Sequence, residues 1–156
     1  MSALMLPWSL LATAGTFFET CGIDGLEGTA LVKTGPDGPS LVVPDQLPCR
    51  GPSGGVSVEV TQVGQMQLAT ALGQDELYVA RIHSHPAEAF HSAADDENPV
   101  LTHEGALSIV APFFGLGLRH GLDVCAVLRL HRGRWTDLPA GPERVRWVWT
   151  DGGPGR

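Results

Sequence analysis

Basic charge is scarce in this chain: ten Lys and Arg stand against seventeen Asp and Glu in 156 residues, for a formal net charge of -7. A nucleic-acid binder needs a basic face or tract. Here only Arg132, Arg134, Arg144 and Arg146 cluster, near the C-terminus, and four are too few for that function. Cysteine is scarce as well. Cys21, Cys49 and Cys125 lie far apart and form no CxxC pair, and three thiols cannot complete a disulfide framework. Cys125, in VCAVL, reads as a small buried hydrophobe. Long apolar runs are missing too. The opening MSALMLPWSLLATAG is short for a membrane span, lacks a basic leader region and continues through Gly15–Phe18 with a poor cleavage signal. We read it as a core-facing helix of a cytoplasmic protein with no membrane partner.

What is present suits one compact domain over residues 1–150 with a loose tail at 151–156. Hydrophobic residues make up 43% and charged residues 17%, enough to bury a core without disulfides. The pattern predicts a helix from Trp8 to Thr20, ended by Cys21-Gly22-Ile23-Asp24-Gly25. Strands follow at Thr29–Lys33 and Leu41–Val43, a loop at Leu47–Gly55, and an alternating strand at Val56–Val60. Next come a helix over Gln62–Leu72 and a strong strand over Leu77–Ile82. Further strands are expected at Leu107–Ala111, Asp123–Leu130 and Arg144–Thr150. Helices and strands need not alternate strictly, which favours an α+β fold with α/β-like layering: a mixed sheet flanked by helices.

The chemistry concentrates in RIHSHPAEAFHSAAD, residues 81–95. On an extended chain, positions i and i+2 face one side about 6.6 Å apart. His83 and His85 can therefore enter one pocket, and a bend before Pro86 would bring both imidazoles to one ion. Zinc accepts neutral imidazole and carboxylate at similar range. Ser92-Ala93-Ala94-Asp95 has the spacing of a helix N-terminal box, which would fix the direction of Asp95. Two histidines and one aspartate leave a fourth tetrahedral corner for water, the mark of a catalytic rather than a structural zinc site. Each piece alone has a plainer reading, as a helix cap or as strand-end histidines. Within thirteen residues they point together to metal. The acidic balance and the lack of a second carboxylate-rich cluster argue against a nuclease.

His83-Ser84-His85-Pro86 followed by Ser92-Ala93-Ala94-Asp95 resembles the JAMM metalloprotease motif of the JAB/MPN domain family. The continuation, with Gly105-Ala106-Leu107-Ser108-Ile109-Val110 beyond it, looks most like the prokaryotic JAB branch. The resemblance implies a single JAB/MPN-like domain that binds Zn2+ through His83, His85 and Asp95. It implies cleavage of peptide or isopeptide bonds after a ubiquitin-like protein, with an activating-enzyme-like protein as a further partner. Ser92 would support the oxyanion. The family's general base is a glutamate at the strand after the first helix. Glu27, leading directly into an apolar strand, is preferred over Glu19, which Asp24-Gly25 separates from that strand. The loop before Ser92 is one residue shorter than the family's. Asp95 keeps the Ser-x-x-Asp spacing, and Asp96 becomes the ligand if the deletion falls after the serine. Two other readings share this motif: a non-catalytic ubiquitin-like-binding scaffold, and a zinc hydrolase of small amides or cysteine conjugates.

Overall fold

The computed structural model describes residues 3–50, 56–89 and 101–152. Its centre is a six-stranded mixed sheet in the order β3-β2-β6-β7-β8-β9. These strands are β2 (Thr29–Thr34), β3 (Ser40–Val42), β6 (Leu77–Ser84), β7 (Leu107–Ala111), β8 (Ala126–His131) and β9 (Arg134–Asp137). Only β6 and β7 run parallel; every other neighbouring pair is antiparallel. The result is the α+β layering expected from the pattern.

Helix α1 (Trp8–Ile23) covers one face of the sheet. Its Leu10, Leu11, Ala14 and Phe18 join Ala30, Val32, Ala80, Ile82, Ile109 and Val127 in the main core. Helix α2 (Gln62–Ala71) begins at Thr61, whose hydroxyl accepts the Gly64 N–H at 3.0 Å. It contributes Leu68 to a smaller core with Leu31, Tyr78, Leu101 and Leu130. Cys125 belongs to the main core, where burial pushes its thiol up to about 12. No helix among the described residues is long and apolar enough to cross a membrane.

Three details depart from the sequence expectation. The first helix runs on to Ile23. Gly22 lies in its last turn, where a side chain would meet Phe114, with a Cβ only 2.5 Å from the Phe114 Cβ. The expected loop at 47–55 instead begins in strand β4 (Gln46–Arg50), which pairs with β5 (Val56–Val60) as a separate hairpin. Pro48 is tolerated because this strand has a partner on one side only. Residues Pro142–Val145 form a short helix, α3, and only β10 (Val148–Thr150) is strand, paired in parallel with β1 (Leu4–Leu6). Arg144 is buried there. Its Nε and Nη1 donate to the carbonyls of Leu138 and Leu122, so it is no part of a basic surface.

Candidate metal and catalytic site

The C-terminal end of β6 carries His83, Ser84 and His85, with the strand buried from Ala80 to Ser84 apart from Arg81's small exposed fraction. His83 is 4% and His85 5% exposed. Backbone bonds hold this end on both sides. The His85 N–H donates to Ala111 at 2.9 Å, and the Phe114 N–H donates to the His85 carbonyl at 2.7 Å. Phe113 and Phe114, in the 3-10 segment after Pro112, take left-handed backbone angles (φ 53° and 54°), which bulky residues rarely adopt. That turn closes back onto His85 and onto Ala87, whose carbonyl accepts the Phe113 N–H.

The two imidazole rings have centroids 5.0 Å apart and planes inclined at 59°. With zinc–nitrogen bonds of about 2.1 Å and ring centres about 1.2 Å beyond each nitrogen, two imidazoles at tetrahedral corners have centroids about 5.4 Å apart, within a few tenths of an ångström of the spacing here. The ring spacing therefore fits a shared zinc. Both donors are nitrogen, borderline-soft and deeply buried, which also suits that ion. Among the described residues no third His, Cys, Asp or Glu completes a metal cluster. The expected ligand Asp95, its neighbour Asp96 and the expected oxyanion donor Ser92 lie outside the described residues, as does His91.

Strand β2 brings a carboxylate to the same end. The antiparallel register sets Thr29 opposite His83. One step further, Gly28 and Ser84 exchange two bonds: the Ser84 N–H donates to the Gly28 carbonyl at 3.0 Å, and the Ser84 hydroxyl accepts the Gly28 N–H at 2.9 Å. Glu27, half-buried, is the next residue along the chain before Gly28. Glu19 sits on α1, where with Trp8, Gly15, Thr16 and Leu118 it lines a cavity of about 230 Å³.

Four residues support this strand end, and three of them, Gln46, Thr29 and Arg81, escaped the sequence reading. Ser84 alternates away from the histidines and is fully buried; its lock on Gly28 depends on a pairing fifty-six residues apart. Gln46 binds both backbone groups of Thr29: its Oε1 accepts the N–H at 2.8 Å and its Nε2 donates to the carbonyl at 2.9 Å. It thus stands in for a strand neighbour where β3 does not reach. Thr29 itself is buried on the His83 face, and its hydroxyl finds no partner among the described residues. Arg81, a buried cation two positions before His83, had a visible signal, since a charge inside an apolar strand requires a reason.

No protein-family model matches the chain. A relative is found in Sinorhizobium fredii (strain NBRC 101917 / NGR234), Probable metalloprotease y4jG. It is 31% identical over 140 residues, which span 86% of this chain and 86% of that protein.

Proposed function

Because this chain belongs to the same family as the Sinorhizobium probable metalloprotease, we propose that it is a zinc metallopeptidase of the JAB/MPN type with a JAMM site. In this reading it is a cytoplasmic enzyme that cuts a peptide or isopeptide bond to remove or process a ubiquitin-like protein. An activating-enzyme-like protein is the further partner. The observation that carries the reading is the pair of buried imidazoles with centroids 5.0 Å apart, on β6, whose Ser84 accepts the N–H of Gly28, the residue after Glu27.

His83, His85 and Asp95 would hold the metal. When bound, zinc supplies Lewis acidity, which acidifies water and polarises a scissile carbonyl. Glu27 is the general base: it takes the proton of the attacking water and passes it to the leaving amine, too basic to depart unprotonated. Ser92 donates its O–H to the developing oxyanion, a kind of contact worth about 3 kcal/mol when a preorganised donor is lost. Burial of both histidines keeps bulk water from screening these charges.

The test is zinc content of the purified chain together with hydrolysis of three probes: ubiquitin fused at its C-terminus to a peptide, ubiquitin in isopeptide linkage to lysine, and a small cysteine amide. One zinc per chain with cleavage after ubiquitin supports the proposal. Zinc with cleavage of the cysteine amide alone would replace the substrate class. A chain without zinc, or zinc-loaded and inert on all three, would sink it.

A further inference from the structure

A second cavity, of about 520 Å³, opens beside β1 and the first residues of β6. Leu77 and His83 are six strand residues apart, about 20 Å, so this cavity is separate from the histidine site. Its volume lies within the range of small-molecule sites. The walls are mostly apolar, formed by Leu4, Met5, Leu77, Val79, Leu107 and Trp147.

One cation faces this space. Arg129, on β8, lines the cavity with its side chain only 12% exposed, and its guanidinium carbon stacks 3.9 Å from the centre of the Trp147 ring. Its N–H donors are engaged in no hydrogen bond among the described residues. The facing carboxylate, Glu104, comes no closer than 4.0 Å, beyond hydrogen-bond range. Glu104 is already committed elsewhere: Oε1 lies 2.6 Å from His131 Nδ1, and Oε2 accepts the Arg132 N–H at 2.9 Å. The cavity therefore combines apolar walls, one positive fork with donors to spare and a neighbouring carboxylate whose oxygens are taken.

We propose that this cavity binds a small organic carboxylate with an apolar body, its carboxylate held by Arg129. A guanidinium presents two parallel N–H groups that match the two oxygens of a carboxylate. Stacking on Trp147 holds that fork in one orientation. A single charge at the head suits a monoanion, and the apolar walls take the body of the ligand.

Titration calorimetry of the full chain with 4-phenylbutyrate and its neutral amide, 4-phenylbutyramide, tests this. The acid should bind at one site and at least tenfold more tightly than the amide. Arg129→Gln should weaken the acid at least tenfold and leave the amide unchanged. Leu77→Trp, at the exposed mouth, should block both with no fall in melting temperature, which separates loss of the cavity from loss of the fold. No binding of the acid, equal binding of acid and amide, or acid binding that survives Arg129→Gln would each overturn the proposal. The last would also place the carboxylate elsewhere on the chain.

Discussion

Ser84 and Gly28 hold each other across β6 and β2 through one backbone and one side-chain hydrogen bond, at 3.0 and 2.9 Å. The serine hydroxyl replaces the carbonyl that a regular ladder would offer to Gly28, and so fixes the point where β2 begins. Gly28 has no room to be anything larger, since a Cβ would approach the Phe17 ring at 2.9 Å and the Phe18 ring at 3.0 Å. Ser84→Ala would leave the Gly28 N–H buried without an acceptor. We expect a loss of about 1–3 kcal/mol, read as a shift in urea midpoint with an unchanged slope.

The glutamates separate by position. Glu27→Gln should keep one zinc per chain and lower turnover about 10²- to 10⁴-fold, the usual contribution of a positioned general base. Glu19→Gln, on the α1 cavity, should leave both unchanged. Metal analysis and cleavage rates on the same preparations decide it; an inactive Glu19→Gln with an active Glu27→Gln would reverse the assignment.

Asp95 and Asp96 differ by one position in the shortened loop, and only one can be the third ligand. Asp95→Asn should strip zinc after dialysis against a weak chelator, while Asp96→Asn retains it. The reverse pattern would move the register of the loop by one residue.

Two carboxylates make stability depend on acid. The Lys33 ammonium, 2.9 Å from Glu76, and the Gly73 N–H hold the Glu76 carboxyl below its ordinary value. The Arg132 N–H and then His131 do the same for Glu104. Each group binds its proton less readily folded than unfolded. Their stabilisation is therefore complete above the ordinary value of about 4.5 and is lost as pH falls through the lower folded value. Melting temperature should drop on acidification below about pH 4.5, and Glu76→Gln should flatten that drop relative to the unaltered chain.

Strong local signals were legible in the sequence. The apolar run at Leu107–Ala111 is the observed β7, and the histidine strand differs from expectation only by extending to Ser84. The two histidines could be placed on one face because strand alternation is a local rule. Non-local features left no such trace. Strand β1 is three residues long and exists because Leu4–Leu6 meets Val148–Thr150 at the far end of the chain. Prolines and glycines at 48–55 masked the β4 hairpin. Pro142 and Glu143, an ordinary helix opening, were overridden by the alternation of the residues after them. At the site, preference for Glu27 rested on sequence likeness, whereas the pairing of Thr29 with His83 follows from the β2–β6 register, which no local pattern specifies.

The packing of α1 on the 3-10 segment gives the last prediction. Gly22 faces Phe114 at a distance that forbids a methyl group, 2.5 Å to the Phe114 Cβ and 2.7 Å to its Cγ. Phe114 in turn donates its N–H to the His85 carbonyl. It holds a left-handed backbone conformation that bulky residues rarely adopt. Gly22→Ala should cost about 1–3 kcal/mol through overpacking, beyond the slight gain alanine brings to a helix. Because the strain is relieved by moving Phe114, it should also loosen the strand end that carries the histidines. Hydrogen exchange at the Phe114 and His85 amides would then quicken more than at Ile82 in the middle of β6. A uniform change across all three would mean that the helix contact stabilises the fold without reaching the site.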